Sequence, residues 1–236
     1  MMQNDRTPLL DRYHTVKDRI DQAARASGRD SKAVRLIAVS KLHPAESIRT
    51  LAQAGHRDFG ESYIQEALRK QEALEELAIS WHFIGSLQTN KAKFVPGRFH
   101  LIHSVGSPRL ARALHSRARS CSVRQKILIQ INLAEEPQKA GIAEKECVPF
   151  VEQVLDLDGL DLKGLMVMPP LNAQKERARP YFSRLRQIRD ELEGKFAVSL
   201  PELSMGMSGD FVQAVEEGAT LVRIGTEIFG SRPLNT

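Results

Sequence analysis

The sequence contains few of the residues that define disulfide-stabilised, zinc-binding or membrane-spanning proteins. Its 236 residues include only two cysteines, Cys121 and Cys147, and their spacing matches no common metal motif. No apolar run reaches the ~18 residues that a membrane-spanning helix needs, and the polar N-terminus MMQNDRTPLLDRYH does not resemble a signal peptide. We therefore expect a soluble cytoplasmic globular protein with no disulfide framework, no metal site and no membrane partner.

The sequence also lacks the charge and aromatic content that favour nucleic-acid binding. Thirty-four Lys+Arg residues against 29 Asp+Glu residues give a net charge of +5, and aromatic residues make up 6% of the chain. The stretch HSRARSCSVRQK at 115–126 is locally basic, but no aromatic side chains are interleaved there to stack on bases. We expect this stretch to be a solvated helix face, and we expect no nucleic-acid partner.

What the sequence does contain is an alternation of two periods. Short apolar runs, which suit buried parallel strands, alternate with longer segments of helical periodicity. The eight predicted strands are 34–40, 57–60, 81–85, 100–104, 126–132, 161–168, 202–206 and 221–225. The clearest helices are predicted over 7–27, 64–78 and 176–193, and Ser107-Pro108 predicts the start of another.

Eight strand–helix units in a chain of this length favour one α/β fold class, the (β/α)₈ TIM barrel, here with an extra N-terminal helix over 7–27. An open Rossmann-like sheet is the alternative. It is weakened because no G-x-G-x-x-G motif follows the first predicted strand. No internal repeat, low-complexity segment or linker divides the sequence, so we expect a single domain over residues 1–236.

Functional residues of such a barrel gather at the carboxyl ends of its strands. Lys41 follows the first predicted strand, and the two-residue period of a strand places Ile37, Val39 and Lys41 on one face. If that face points inward, the Lys41 amine is partly desolvated and can act as a nucleophile toward an aldehyde. An ordinary exposed lysine at a strand end is the alternative.

The ends of the last two predicted strands indicate an anion site. The segment Met205–Gly209 leads into a predicted helix, whose first N–H groups favour an anion. Gly225 and Thr226 add backbone N–H groups and a hydroxyl; the alternative is that Ser208 is only a helix cap and Gly225 only a turn. Because the first and last strands of a closed barrel are neighbours, Lys41 would lie beside this site. That arrangement suits an aldehyde that carries a phosphate.

Three further polar residues fall inside predicted strands. Arg223 is flanked by Val222 and Ile224, so we expect its side chain to point inward and to be paired, since a buried unpaired charge is too costly. A structural ion pair with a carboxylate is the alternative role for this arginine. We expect His82 and His103 to be packed core histidines with satisfied hydrogen bonds rather than catalytic groups.

Beyond these patterns, the sequence resembles the pyridoxal-phosphate homeostasis protein family from about residue 10 to residue 233. The matching stretches are AVSK (38–41), FGESYIQEA (59–67), WHFIGSLQTNK (81–91), IHSV (102–105), QINLAEEPQKAGI (130–142), GLMVMPP (164–170), LSMGMSGDF (203–211) and VRIGTEIFGSR (222–232). The resemblance implies a barrel like that of the fold-type III enzymes, such as alanine racemase. These proteins carry pyridoxal 5′-phosphate (PLP) as a Schiff base on a lysine at the end of the first strand.

The resemblance also implies roles for individual residues. Lys41 would be the Schiff-base lysine, and Arg223 would contact the pyridine nitrogen. The implied phosphate contacts come from Ser208, from the backbone of Met207 or Gly209, and from Gly225 and Thr226. This sequence departs from the family at two places: Ser62 stands where an asparagine is usual, and Leu133-Ala134 replaces the usual serine-glycine pair after the fifth strand.

An arginine beside the pyridine nitrogen has a consequence for the implied function. A guanidinium with a pKa above ~12 donates a hydrogen bond but does not protonate the ring, which is then a poor sink for carbanion charge. Racemase relatives use two acid–base groups, one from a second domain, and no sequence remains for such a domain after residue 233.

We therefore expect a PLP-binding protein that stores, buffers or delivers the cofactor to apo-enzymes, with no catalytic residue, and we expect a monomer because the domain that supports racemase dimers is absent. A low-activity PLP-dependent amino-acid racemase is the alternative, and an RNA-associated module is the third hypothesis.

Overall fold

Eight parallel strands close into a barrel in their sequence order. This computed structural model describes residues 6–136, 138–170, 172–173 and 175–231. The strands are β1 (Arg35–Val39), β2 (Asp58–Glu61), β3 (Ser80–Phe83), β4 (Leu101–Val105), β5 (Gln125–Ile131), β6 (Leu160–Val167), β7 (Glu202–Ser204) and β8 (Leu221–Ile224). The predicted barrel is confirmed, and the open-sheet alternative is wrong because β1 pairs with β8.

Helices connect the strands on the outside of the barrel. They are α1 (Arg6–Ala26), α2 (Ala45–Gln53), α3 (Ile64–Ala73), α4 (Pro108–Ser120), α5 (Cys147–Leu155), α6 (Arg179–Phe196), α7 (Phe211–Glu216) and α8 (Thr226–Phe229). Short 3₁₀ turns cover 31–33, 89–94, 144–146 and 175–177. The predicted start of α4 is confirmed, because the Ser107 hydroxyl accepts the Leu110 N–H at 3.2 Å and Pro108 is the first helical residue.

The N-terminal helix α1 packs against α2, α7 and α8. Its apolar stripe is buried and consists of Leu9, Tyr13, Val16, Ile20 and Ala23. The Arg12 Nε donates to the Ile228 carbonyl oxygen at 2.8 Å, and Arg19 pairs with Glu227 at 2.5 Å. Because α8 has only four residues, α1 covers the part of the barrel surface between α7 and α2 and holds the segment that follows β8.

Two apolar layers make up the core. The larger layer lies between the strands and the helices, and the smaller fills the interior of the barrel. The interior residues are Ile37, Leu101, Leu128, Met166 and Leu221. One glycine is required in the wall: Gly164 lies beside a register shift between β5 and β6, has a φ of +151°, and a Cβ there would overlap the backbone carbonyl of Glu202.

The two cysteines and the helices are the features that bear on disulfide bonds and membrane spans. Cys121 and Cys147 are both free thiols, and burial raises the pKa of Cys147 to about 12, so this thiol stays protonated at neutral pH. In the part of the chain that the structure describes, every helix is too short or too polar to cross a bilayer.

Candidate functional site

A cavity of about 300 Å³ opens at the carboxyl end of the barrel, next to the ends of β1, β6, β7 and β8. All six residues predicted to bind the cofactor line it: Lys41, Met207, Ser208, Arg223, Gly225 and Thr226. Gly209, the alternative to Met207 as a backbone contact, also lines it. Sequence reasoning did not assign the rest of the lining to the cofactor, namely Val39, Ser62, Ile84, Met168, Pro169, Pro170, Ala173 and Asp210. The topology therefore brings together predicted residues that lie up to 185 positions apart in the sequence, from Lys41 to Thr226.

Lys41 lies two residues beyond the end of β1. Ile37 points into the barrel interior and Val39 lines the cavity, so the inward face predicted for this strand is confirmed. The Lys41 side chain is half-buried at the mouth of the barrel rather than fully exposed. Lys41 therefore contributes to the wall of the cavity at the mouth of the barrel.

A buried ion pair holds the residue before Lys41. The Ser40 hydroxyl donates to Glu61 Oε1 at 2.7 Å, and Lys70 Nζ donates both to the Ser40 carbonyl oxygen and to Glu61 Oε1, each at 2.7 Å. Burial raises the pKa of Glu61, while Lys70 and Ser40 act in the opposite direction. Removal of either charge would leave the other buried without its partner, which makes this contact a rigid support for the turn.

Lys70 also holds the residue after Lys41, acting through Glu66. Leu42 has a φ of +63°, which is unusual for a residue with a side chain, and its N–H donates to Glu66 Oε1 at 2.6 Å. Glu66 in turn accepts from Lys70 at 2.6 Å. Sequence reasoning missed Lys70; the signal that could have found it is the four-residue spacing of Glu66 and Lys70 on a helix directly after the FGES segment.

The turn after β7 differs in detail from the sequence prediction. Gly206 has a φ of +92°, and a Cβ there would lie 2.6 Å from the Cβ of Ala214, so only glycine fits. The helix α7 begins at Phe211 with Asp210 as its N-cap residue, so the interpretation of Ser208 as a helix cap is wrong. In the described part of the chain, no protein acceptor pairs with the N–H groups of Ser208 and Gly209.

Asp210 is the titratable residue that sequence reasoning missed in this turn. Its side chain is 5% exposed, and its Oδ1 accepts the Met207 N–H at 2.7 Å. Burial raises the pKa of Asp210, although the Met207 hydrogen bond and the charge of Arg223 oppose the rise. Because Met207 N–H already has this acceptor, the backbone donors left for an anion in this turn are those of Ser208 and Gly209.

Arg223 points into the barrel, as predicted, and is 4% exposed. Its Nη1 donates to Ser204 Oγ at 2.7 Å and its Nη2 donates to the Val167 carbonyl oxygen at 3.1 Å. The alternative of a structural ion pair is wrong: among the described residues no carboxylate lies within ion-pair distance of this guanidinium. Burial lowers the pKa of Arg223 to about 10, with Asp210 opposing the shift, so the side chain keeps its charge at neutral pH.

The two departures from the family pattern lie in different places. Ser62 lines the cavity, so a shorter hydroxyl side chain stands on this wall. Leu133 and Ala134 do not line the cavity. The preceding Asn132 donates from Nδ2 to the Glu136 carbonyl oxygen at 2.9 Å, so its amide closes its own loop rather than reaching a ligand.

The chemistry of the cavity fits an anionic ligand with a flat ring. One side offers two cationic groups, Lys41 and Arg223, and the turns after β7 and β8 offer the hydroxyls of Ser208 and Thr226. An apolar wall that includes Met168 and Pro169 lies along the same cavity. The fold and the site thus define a (β/α)₈ barrel protein with a small-molecule site at the carboxyl ends of its strands.

Comparison with known sequences assigns the chain to a family. The profile described as "Alanine racemase, N-terminal domain" matches residues 13–233, and the chain belongs to that family. It is similar to the "Pyridoxal phosphate homeostasis protein" of Aquifex aeolicus, with 43% identity over 222 residues, which covers 94% of this chain and 97% of the relative. The protein of the same name from Pseudomonas aeruginosa is 42% identical over 217 residues, or 92% and 93% of the two chains. The resemblance seen in the sequence is confirmed.

Solved structures agree with this assignment. PipY of Synechococcus elongatus PCC7942, solved without PLP, superposes with a TM-score of 0.81 at 41% identity, covering 84% of this chain and 93% of PipY. A second PipY structure, with PLP bound, gives a TM-score of 0.80 at 40% identity. Alanine racemase of Clostridium difficile superposes with a TM-score of 0.76 at 14% identity, which shows the shared barrel fold, and this chain covers 58% of that enzyme.

Proposed function

We propose that this protein binds PLP in the cavity at the carboxyl end of the barrel and takes part in PLP homeostasis. One observation carries the proposal: Lys41, Arg223 and the turns after β7 and β8 line one cavity of about 300 Å³. That set matches the three reactive parts of PLP, which are an aldehyde, a pyridine nitrogen and a phosphate. The names of the curated relatives and the PLP-bound PipY structure support the same ligand.

Each part of the proposed ligand has a protein group of suitable chemistry. Lys41 Nζ would condense with the aldehyde carbon and release one water molecule, which leaves a Schiff base. The Arg223 guanidinium would donate to the pyridine nitrogen without protonating it. The phosphate would accept from the hydroxyls of Ser208 and Thr226 and from backbone N–H groups of Ser208, Gly209 and Gly225. Met207 would contribute its side chain, because its N–H is bonded to Asp210.

We propose a carrier rather than an enzyme. An arginine at the ring nitrogen makes bound PLP a poor electron sink, because the nitrogen stays unprotonated. Two titratable residues besides Arg223 are among the described residues that line the cavity, Lys41 and Asp210. Lys41 would be bonded to the aldehyde carbon, and Asp210 accepts the Met207 N–H on the phosphate side, so neither is placed to act as a second acid–base group. The rest of the proposal is that residues 1–236 act as one monomeric domain in the cytoplasm and pass PLP to apo-enzymes.

Borohydride reduction tests the covalent part of this proposal. Reduction of the PLP-loaded protein should add a pyridoxyl group to the peptide that contains Lys41, as located by peptide mass. Lys41→Ala should lose the label and the absorbance of the Schiff base, and Lys93→Ala, which removes an exposed lysine outside the cavity, should keep both. A Lys41→Ala protein that retains the same signal would show that the attachment site is wrong.

Transfer kinetics test the carrier role. The holo-protein should load an apo-enzyme faster than PLP dissociates into solution, and a small-molecule trap for free PLP should not abolish the transfer. Transfer at the rate of free dissociation would reduce the role to storage and buffering.

The second candidate function is a low-activity amino-acid racemase, which the shared fold and the family assignment favour. Exchange of the alanine α-proton in deuterium oxide separates the two functions, since a carrier gives only the exchange rate of free PLP. Exchange well above that rate, abolished by Lys41→Ala, would support the racemase.

A further inference from the structure

A continuous chain of buried hydrogen bonds crosses the barrel interior and ends on Arg223. Arg223 Nη1 lies 2.7 Å from Ser204 Oγ, and Ser204 Oγ lies 2.7 Å from His103 Nδ1. His103 Nε2 lies 2.9 Å from His82 Nδ1, and His82 Nε2 lies 3.0 Å from Asp58 Oδ1. The five residues come from β8, β7, β4, β3 and β2, so five of the eight strands contribute one link each.

The hydrogen-bond chain lies in the buried interior of the barrel, beside apolar side chains. His82, His103 and Ser204 are fully buried, and the interior residues Leu101 and Leu221 adjoin them on the same strands or in the same register. Burial lowers the pKa of both histidines, so both are neutral at pH 7. At the far end, burial would raise the pKa of Asp58, but the bond from His82 and the charge of Arg35 lower it, so this carboxylate is ionised.

The chemistry of the two ends determines the direction of every hydrogen bond between them. An arginine can only donate, so Ser204 Oγ accepts from Arg223. At the other end an ionised carboxylate can only accept, so each neutral histidine must carry its proton on the nitrogen nearer to Asp58, and Ser204 therefore donates to His103 Nδ1. His103 then carries its proton on Nε2 and donates to His82 Nδ1. His82 also carries its proton on Nε2 and donates to Asp58, which as an ionised carboxylate can only accept. One tautomer of each histidine satisfies the chain.

We propose that Ser204, His103 and His82 are positioning residues, which hold the Arg223 guanidinium through a single directed hydrogen-bond chain that ends on the Asp58 carboxylate. The hydrogen-bond chain orients Arg223 although no carboxylate among the described residues contacts it, and it links the positive charge of Arg223 to a negative charge at the opposite end of the barrel. Two of the five N–H donors of Arg223 are committed to Ser204 and Val167. The remaining donors are then presented to the cavity in one orientation.

The surroundings of the chain favour this neutral arrangement. His82 also faces His100 with ring centroids 5.4 Å apart, and Arg35 and Glu202 form an ion pair near its Asp58 end. His103 contacts His82 and Ser204, and the positive charges of Arg223 and Arg35, together with His82 and His100, add to the effect of burial in lowering its pKa. A second proton on His103 would place two cations next to each other, and it would remove the acceptor that Ser204 needs.

Nitrogen NMR tests the directed chain without any ligand. In the full-length protein labelled with ¹⁵N-histidine, the side chains of His82 and His103 should each show a protonated Nε2 and an unprotonated Nδ1 at pH 7.5. The variants His82→Asn and His103→Asn assign the signals. A protonated Nδ1 on either histidine, or two protons on one ring, would overturn the proposal.

Substitution of Ser204 tests the effect on Arg223; this part rests on the proposed PLP function. Ser204→Ala removes the acceptor of a charged donor and should weaken PLP binding about tenfold, while Ser204→Thr keeps the hydroxyl and should bind within about threefold of the parent. The His103 Nδ1 signal should shift in Ser204→Ala and return toward its original position in Ser204→Thr. Equal PLP affinity of Ser204→Ala and the parent would show that Ser204 does not position Arg223.

A nearby serine provides the control. Ser104 is 4% exposed and its hydroxyl donates to the Gly85 carbonyl oxygen. Ser104→Ala therefore removes a buried hydroxyl that is not part of the hydrogen-bond chain. It should leave both the His103 signal and the PLP affinity unchanged. If the parent protein does not bind PLP, the proposed function is wrong, but the histidine tautomers still show whether the directed hydrogen-bond chain exists. If Ser204→Ala does not fold, the NMR signals of Ser204→Thr and of the parent protein provide the same test.

Discussion

Arg223 is a buried cation that is held by a hydroxyl and a carbonyl oxygen rather than by a carboxylate in contact. A direct ion pair would neutralise the guanidinium and occupy its donors, whereas neutral acceptors leave its charge available to a ligand. Asp210 is the acidic group whose charge acts on Arg223, and it lies on the wall of the same cavity. At the scale of single residues, the site is therefore cationic at its centre and carries one carboxyl group at the turn after β7.

The position of that carboxyl group leads to a prediction for Asp210→Asn. The amide oxygen can still accept the Met207 N–H, so the turn should keep its shape, while the negative charge beside the proposed phosphate position disappears. Binding of PLP should become tighter by about tenfold at pH 8, an effect of about 1.4 kcal/mol. The gain should shrink as the pH falls, because the raised pKa of Asp210 means that its carboxyl group loses its charge at a higher pH than usual.

Titration of the two proteins with PLP at pH 8 and at successively lower pH values checks this prediction. Weaker binding by Asp210→Asn at pH 8 would contradict it and would indicate that the carboxylate supports the turn through its charge. Glu193→Gln provides the comparison, since Glu193 lies on α6 outside the cavity and also accepts a backbone N–H.

Sequence reasoning found some of the site residues and missed others for a physical reason. Lys41 and Arg223 were predictable, because each lies on a strand whose period and end position can be recognised locally. The partnership of His82 with His103, and of His103 with Ser204, could not be predicted, since it joins residues 21 and 101 positions apart. Such pairs depend on the tilt and register of the closed barrel, which the sequence pattern does not specify.

At the scale of elements, apolar runs located the strands well and helix ends less well. The first predicted strand, 34–40, corresponds to Arg35–Val39, and the last, 221–225, to Leu221–Ile224. The helix predicted over 64–78 ends at Ala73, where Arg49 of α2 donates to the Ala73 carbonyl oxygen at 3.1 Å. That hydrogen bond from a neighbouring helix satisfies one of the last carbonyl groups of the helix, and the local sequence contains no sign of it.

Two glycines of these elements should respond in opposite ways to alanine. Gly164→Ala places a Cβ against the Glu202 backbone at a φ of +151°, and should lower the free energy of unfolding by about 2–4 kcal/mol. Gly194→Ala lies within α6, where a Cβ meets nothing within 4 Å, and should raise it by about 0.5–1 kcal/mol. Urea unfolding followed by circular dichroism measures both changes. A Gly164→Ala protein as stable as the parent would show that β6 and β7 can separate at this point without cost.

At the scale of the whole molecule, the interior of the barrel makes stability depend on pH. Burial lowers the pKa of His82 and His103, so below about pH 6.5 the unfolded chain binds protons that the folded chain does not. The free energy of unfolding should therefore fall as the pH decreases from 6.5, by up to about 1.4 kcal/mol per pH unit for each histidine. Stability should be fully retained above that pH.

Urea unfolding at pH 8, 6.5 and 5.5 checks this dependence. His103→Asn should show a shallower loss between pH 6.5 and 5.5, because one of the buried histidines no longer takes part. His115→Gln, which changes a histidine on the outer helix α4, should keep the steep loss of the parent protein. The same slope in the parent and in His103→Asn would exclude His103 as a source of the acid sensitivity.

The packing of α1 against α7 and α8 has a consequence for biosynthesis. The ribosome makes α1 first, but its docking surface on α7 begins about 185 residues later in the chain. At roughly 5–20 residues per second, the apolar stripe of α1 waits for roughly 10–40 s before α7 and α8 have been made. During that interval the nascent chain exposes a row of large apolar side chains, which is the kind of surface that chaperones at the exit tunnel bind.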